Sequence, residues 1–312
     1  MDGGNQSTES EFLLLGLCHS WDIQVLLFMI LFMIYLMTVF GNIFIILLII
    51  KDTHLHSPMY FLLANISFVD MWLSSITTPK MIIGFIRENQ SISFVGCMCQ
   101  VLFVHFAGGT EMVILVAMAY DRYVAICKPL HYTTIMSLQR CIGLVAMAWI
   151  VGFVHGMSHL GVIVQLPFCG PREIDSFFCD MPLVIKLACM DSDNLDSLMN
   201  IDCGFVAVTS FILLLITYTH ILVTVHRSSK SGASKALSTC TAHITVVVLF
   251  FGPCIFIYVW PVSATWLDKF LAVFYTAITP LLNPAIYSLR NKEIKDAMKR
   301  FKSYCMNSKA NI

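Results

Sequence analysis

Long apolar stretches separated by shorter polar ones set the pattern of this chain. A helix crossing a bilayer needs about 20 apolar residues, because it rises roughly 1.5 Å per residue through a hydrocarbon core of about 30 Å. Five stretches meet that need with no Asp, Glu, Lys or Arg: Ile23–Ile50, Cys141–Pro171, Cys203–His226, Ala236–Leu267 and Phe270–Leu289. Two more carry isolated ionisable residues: Pro58–Ile86 holds Asp70 and Lys80, and Ser91–Tyr120 holds Glu111. The pattern predicts an all-α membrane protein, a bundle of seven spans. After the seventh, Ile294, Met298 and Phe301 recur at i, i+4 and i+7 among basic residues. That spacing predicts a short amphipathic helix over Lys292–Lys302, lying on the membrane surface. The organisation expected is a polar tail over 1–22, the helical domain over 23–290, and an amphipathic helix with a tail over 291–312.

Composition agrees with this class. Hydrophobic residues make up 58% of the 312 and charged residues 12%, against about 25% charged in a soluble domain. A net charge of zero gives no reason to expect nucleic acid, so basic residues matter through their position. Fourteen of the 19 Lys and Arg residues fall at one end of the spans, including Lys51, Arg122, Lys128, Arg140 and the cluster from Arg290 to Lys309. Positive charge stays cytoplasmic, which predicts an extracellular N-terminus and a cytoplasmic C-terminus. The first 22 residues lack the basic start of a cleavable signal, so the first span reads as an uncleaved anchor. Asn5-Gln6-Ser7 is then a usable glycosylation sequon. Asn65 lies within a span and Asn89 close to the membrane.

Loops are short except between spans 4 and 5, roughly Gln165 to Leu198. This long outer loop holds Cys169, Cys179 and Cys189, and Cys97 opens the third span on the same side. Four cysteines in an oxidising compartment allow three pairings, and the sequence alone does not choose among them. Cys18 and Cys99 read as free thiols, and the remaining cysteines as small buried residues.

Ionisable groups inside a membrane are costly, roughly 2.5–3.5 kcal/mol each on insertion, so each one needs an explanation. Counting from the cytoplasmic ends, Asn42 lies about 14 Å, Asp70 about 21 Å, Glu111 about 17 Å and Asn283 about 10 Å into the membrane. Four polar residues from four spans therefore share one slab, and two carboxylates there repel unless a proton or cation intervenes. Two readings stand: a hydrogen-bonded packing knot, or a sodium site coupled to the state of the protein.

A second polar set faces the outer half. His105, Gly108, Gly109 and Met112 share one face of the third span, and His155 and His159 are one turn apart on the fourth. The glycines open space, or permit close helix packing. With Phe251 and Tyr258 they suggest a mostly apolar pocket with few polar handles. Its expected lining also includes Val206, Ile255 and Thr276, with His159 and Asp202 at the rim. At the cytoplasmic end, Asp121-Arg122-Tyr123 closes an apolar span, with Tyr218 and His243 nearby.

Together these residues resemble a known family. Gly41-Asn42, Pro58-Met59-Tyr60-Phe61, the run Met118-Ala119-Tyr120-Asp121-Arg122-Tyr123-Val124-Ala125-Ile126-Cys127, Lys235-Ala236-Leu237-Ser238-Thr239-Cys240, and Pro280-Leu281-Leu282-Asn283-Pro284-Ala285-Ile286-Tyr287 are similar to the signature set of odorant receptors, which are rhodopsin-like G-protein-coupled receptors. His56-Ser57-Pro58-Met59-Tyr60 resembles the tetrapod class (class II), and the match is closest to family 4. The resemblance implies disulfides Cys97–Cys179 and Cys169–Cys189. It implies release of Arg122 from Asp121 on activation, with Tyr218, His243, Asn283 and Tyr287 serving the switch. It further implies a sodium ion at Asp70 and Glu111, a volatile odorant ligand, and an olfactory stimulatory G protein that raises cyclic AMP. Val104 stands where aminergic relatives place an aspartate, and Ala277 where visual pigments carry the retinal lysine. Phe251 replaces a tyrosine common in odorant receptors, and Val262 an arginine found in some acid-sensing members.

Two other classes are weaker. A channel or transporter wants a polar stripe on several spans or an internal repeat, and the chain shows neither. An enzyme wants a nucleophile–base or metal-ligand constellation, and the histidines are scattered.

Overall fold

The computed structural model describes residues 11–16, 20–86, 90–168, 172–189, 192–227, 230–259 and 265–310. Its long helices are α1 (Trp21–Lys51), α2 (Pro58–Gly84), α3 (Phe94–Cys127), α5 (Leu138–Ile163), α7 (Ser192–His226) and α8 (Lys230–Val259). The seventh span is composite: α9 (Thr265–Val273), a π-helical turn over Phe274–Ile278, and α10 (Thr279–Arg290). The short α4 (Tyr132–Ile135) and α6 (Met181–Ile185) sit in loops, and α11 (Lys292–Ala310) follows the seventh span. Among the described residues six helical stretches are long and apolar enough to cross a membrane (α1, α2, α3, α5, Gly204–His226 of α7 and Lys269–Tyr287 of the seventh span), and α8 adds the shorter apolar segment His243–Ile257. The architecture is a seven-span bundle followed by an amphipathic helix.

Local chemistry sets several helix starts. Pro58 occupies the first turn of α2, where its missing N–H costs nothing. The Ser93 hydroxyl accepts from the Gly96 N–H at 3.1 Å, and Ser137 accepts from Arg140 N–H at 3.4 Å, each supplying a partner to an otherwise orphaned donor. The apolar windows locate the spans but not their ends. α7 begins at Ser192, because Asp193, Asp196 and Asp202 are helical although they are not apolar. α8 runs Lys230–Val259 rather than Ala236–Leu267, and α11 extends to Ala310, past Lys302.

A three-stranded sheet in the order β2-β1-β3 adds to the helices. It comprises β1 (Glu11–Leu14), β2 (Ser91–Ser93) and β3 (Glu173–Ile174). β1 pairs antiparallel with β2, Phe12 opposite Ile92, and parallel with β3, Leu14 opposite Ile174. Within the tail read as polar, Phe12 and Leu14 alternate with exposed neighbours and are buried. The Phe12 ring packs on Phe94 and Phe168. The sheet, the start of α3 and the Cys97–Cys179 disulfide (S–S 2.11 Å) occupy one end of the bundle, and Arg122 the other.

α3 is the central helix. Two-thirds of its apolar window (67%) is buried, against 28% for α1. It packs closely on α5 through glycine: a Cβ on Gly152 would lie 2.6 Å from the Phe106 carbonyl oxygen, and one on Gly156 would lie 2.7 Å from that of Leu102. These contacts bring the α3 and α5 backbones together and fix which side chains meet between them.

Candidate functional site

Three polar levels stack along α3. At the sheet end, His105, Gly108, Gly109 and Met112 line a small cavity with His155 of α5. Its volume is about 30 Å³, the share of one water in the liquid. Leu73, Val104, Phe250, Cys254 and Tyr275 complete the wall, so among the described residues no carboxylate, lysine or arginine lines it. The two glycines serve different ends. A Cβ on Gly108 would meet nothing within 4 Å, whereas one on Gly109 would press on Gly152 Cα and His155 at 3.1 Å.

Three imidazoles cluster beside this cavity. His105 and His159 ring centroids are 4.5 Å apart, His155 and His159 4.4 Å, and His105 and His155 5.9 Å. His105 Nδ1 lies 2.9 Å from the Val101 carbonyl. His155 Nδ1 is buried without a hydrogen-bond partner among the described residues. His159 meets both other rings edge to face. Among the described residues, no group of three or more His, Cys, Asp or Glu residues is placed to hold a metal ion.

Phe251, Thr276, Val206 and Ile255, also expected at the pocket, do not line this small cavity. Phe251 is buried against Phe250 and Phe211, and Phe250 faces the cavity in its place. Thr276 returns its hydroxyl to the Ala272 carbonyl at 2.6 Å, and its neighbour Tyr275 lines the wall. The π turn explains that exchange: it widens the helix by a residue per turn, so register counted at 3.6 residues per turn no longer holds. Val206 and Ile255 are half-buried and pack on the core. Asp202 and Tyr258 lie on described helices, but their side chains are outside the described set, as are Asn5, Cys169 and Val262. Cys189 is in a disulfide.

The middle level joins α2, α3 and α10. The Asn283 amide donates to both Asp70 carboxylate oxygens, at 3.0 and 3.1 Å, and to Glu111 Oε1 at 3.2 Å. All three are buried. Two carboxylates sharing one amide cannot both remain charged in an apolar interior without a proton or a cation between them. Glu111 Oε2 and Asn283 Oδ1 find no partner among the described residues. Asn42 is buried and donates to the Thr38 carbonyl at 2.9 Å and the Pro280 carbonyl at 3.1 Å, and its Oδ1 has no partner among the described residues.

At the far end, charge is held in short bonds. Arg122 donates to Asp121 Oδ2 from Nη2 at 2.6 Å and from Nε at 3.0 Å. The Tyr132 hydroxyl of α4 donates to the other Asp121 oxygen at 2.8 Å. Burial and the Asp121 charge push the Tyr132 phenol above its ordinary value, which keeps it a donor. Tyr218 and His243 are hydrogen-bonded to one another across α7 and α8, with the Tyr287 ring 6.4 Å from His243. Tyr123 turns aside, packing on Tyr120 and His220 under Lys128. Below, Asp52 binds Arg300 of α11 at 2.7 Å and His54 at 2.9 Å. Burial pushes the Asp52 carboxyl up, but these partners outweigh it and hold the carboxyl below its ordinary value.

The comparisons with known proteins agree on one family. A family profile described as "Olfactory receptor" matches residues 31–304. Human olfactory receptor 4K3 is 56% identical over 309 residues, covering 99% of this chain and 98% of the relative. Human olfactory receptor 4F4 is 56% identical over 299 residues, 96% and 98% of the two chains. Human olfactory receptor 4K14 is 57% identical over 304 residues, 97% and 98%.

Proposed function

The chain belongs to the olfactory receptor family, a multi-pass plasma-membrane receptor and not an enzyme, and from that premise we propose that it binds small neutral volatile molecules at the cavity beside His105 and activates a stimulatory, olfactory-type G protein to raise cyclic AMP. The observation that carries the ligand class is the wall of that cavity. It is mostly apolar, its described polar groups are imidazoles, a thiol and a phenol, and among the described residues no lysine or arginine lines it to meet a carboxylate. An anionic ligand there would lose water without gaining a partner, at a large desolvation cost. A neutral molecule of about ten heavy atoms incurs no such cost, and roughly 0.3–1.5 kcal/mol per atom makes micromolar affinity realistic.

A cavity of 30 Å³ is far below the roughly 300–1,000 Å³ of small-molecule sites. The ligand therefore selects a wider state than the one described here, which is how a ligand shifts a two-state receptor. Tyr258 of α8, with Asp202 at the rim, is our choice for the orienting hydrogen bond. The sheet end lies outside the cell, Asn5 carries the glycan, and Cys169 pairs with Cys189. Arg122 leaves Asp121 on activation and meets the G protein.

A sodium ion at Asp70 and Glu111, with Asn42 and Asn283 completing the site, fits the hard oxygen donors there, among them the unpartnered Glu111 Oε2, Asn283 Oδ1 and Asn42 Oδ1. If so, thermal stability should be higher in sodium than in a bulky organic cation. Equal stability would favour a protonated packing knot. The ligand reading is tested by a panel of volatiles against cells expressing the receptor with and without the stimulatory G protein. Alcohols, ketones, aldehydes or phenols should raise cyclic AMP only when the G protein is present, and Tyr258→Phe should weaken the oxygenated agonists. Carboxylates as the best agonists would sink it.

A further inference from the structure

At the Arg122 end, a crevice of about 830 Å³ opens between α1, α2 and the segment joining α4 to α5. Its floor is apolar, from Ile46 and Ile50 of α1, Phe61 and Phe68 of α2, and Met136 and Leu138 opposite. Ile50 and Leu138 are 63% and 64% exposed, so the crevice opens outward, away from the bundle core. Along α2 it runs from Pro58 to Phe68, about 15 Å of helix. That is half of a hydrocarbon core of about 30 Å, the depth of one leaflet.

Charge selects the kind of lipid. His56, Ser57, Thr133 and Ser137 make a polar rim, and no carboxylate lines the crevice. The neighbouring acids are already engaged: Asp52 by Arg300 and His54, and Asp121 by Arg122 and Tyr132. Lys51 follows Ile50 and is exposed, and Arg140, also exposed, donates from Nη1 to the Ile135 carbonyl at 3.1 Å, next to Met136 of the crevice wall. We propose that an acyl chain of an anionic phospholipid of the inner leaflet occupies this crevice, with its phosphate at Lys51 and Arg140. The choice of leaflet rests on the orientation proposed above, since anionic lipid is concentrated on the cytoplasmic side.

The site bears on signalling through one side chain. Tyr132 lines the crevice, and its hydroxyl holds Asp121 at 2.8 Å, the partner of Arg122. A lipid that packs on Tyr132 in this arrangement binds the closed state better and stabilises it.

The test uses the full-length receptor in nanodiscs of phosphatidylcholine, phosphatidylcholine with phosphatidylserine, or phosphatidylcholine with cholesterol. Phosphatidylserine should raise the unfolding midpoint by several degrees and lower basal nucleotide exchange in added G protein. Ala64→Trp, which fills the crevice, should remove both effects, and the Lys51→Gln/Arg140→Gln pair should halve them or more. Leu138→Glu, which places a negative charge at the mouth, serves the same purpose should Ala64→Trp not fold. No difference between phosphatidylserine and phosphatidylcholine, the same rise in every variant, or a rise with cholesterol alone would overturn the proposal. Both disc faces have one composition, so these results do not depend on orientation. A C-terminal tag accessible on intact cells would refute the orientation by itself and, with it, the assignment to the inner leaflet.

Discussion

The two ends of α3 handle polar groups in opposite ways. Around His105 the polar groups are imidazole rings beside a small void, and His155 Nδ1 is left without a partner among the described residues. Around Arg122 the buried charge is engaged, with Asp121 accepting from both Arg122 and Tyr132. The first arrangement leaves latitude for an uncharged guest of variable shape. The second holds one arrangement firmly, and it can change only by exchanging those bonds for others. Between them, Asn283 ties two buried carboxylates together, at the level any coupling from one end to the other has to cross.

The largest expected effect comes from breaking the packing that holds the upper end together. Gly152→Leu or Gly156→Leu drives a side chain into the α3 backbone, overpacking that costs about 1–3 kcal/mol or more. Surface expression should collapse. Gly108→Ala, in open space on the same face, should fold normally yet shift agonist potency, and a collapse there too would show that the whole face is only packing. Next in size, Arg122→Ala should eliminate cyclic AMP production while ligand binding stays within a few-fold. Normal signalling by that variant would make the lower cluster a structural charge and erase the contrast.

Smaller effects sharpen the comparison. Tyr132→Phe removes one hydrogen bond to a charged acceptor, about 1.5–3 kcal/mol in a buried setting and less here, where Tyr132 is half-buried. Basal cyclic AMP should rise several-fold without a change in agonist ranking. The smallest effect lies at Asp52, whose carboxyl is held below its ordinary value. Its contribution is therefore present above about pH 3.9 and is lost as pH falls through the folded value. With Arg300 45% exposed, the pair contributes about 0.2–1 kcal/mol. Asp52→Asn should loosen α11 and flatten the acid limb of the stability curve, measured by the unfolding midpoint against pH.

Much of this was legible in the chain because membrane burial writes long apolar runs. Seven spans and α11 follow from that pattern, and the slab of Asp70, Glu111 and Asn283 from counting residues at 1.5 Å each. Asn42 lies at the right depth, but depth does not name its partner: its amide nitrogen donates to the Pro280 carbonyl. The sheet escaped notice because β1 has four residues and its partners lie far along the chain at Ser91–Ser93 and Glu173–Ile174. Gly152 and Gly156 were equally silent, because a glycine in a span looks the same whether it makes room for a ligand or for another helix. Cys254 and Phe250 belong to the cavity wall, and nothing in their spacing distinguishes them from ordinary core.

The π turn makes chain length itself a component of the receptor. Thr279 N–H bonds the carbonyl of Phe274, five residues back, so the seventh span carries one more residue than a regular helix of the same rise. Removing a single residue from 274–278 would let the turn relax to α with everything beyond it in place, because the turn holds the surplus residue. Asn283 would keep Asp70 and Glu111, and Tyr287 would stay beside His243. The change would be local, in which of the neighbours Tyr275 and Thr276 faces the cavity. A deletion that rotates the far half of a regular helix by about 100° would here be absorbed by the turn, as a surface loop absorbs one.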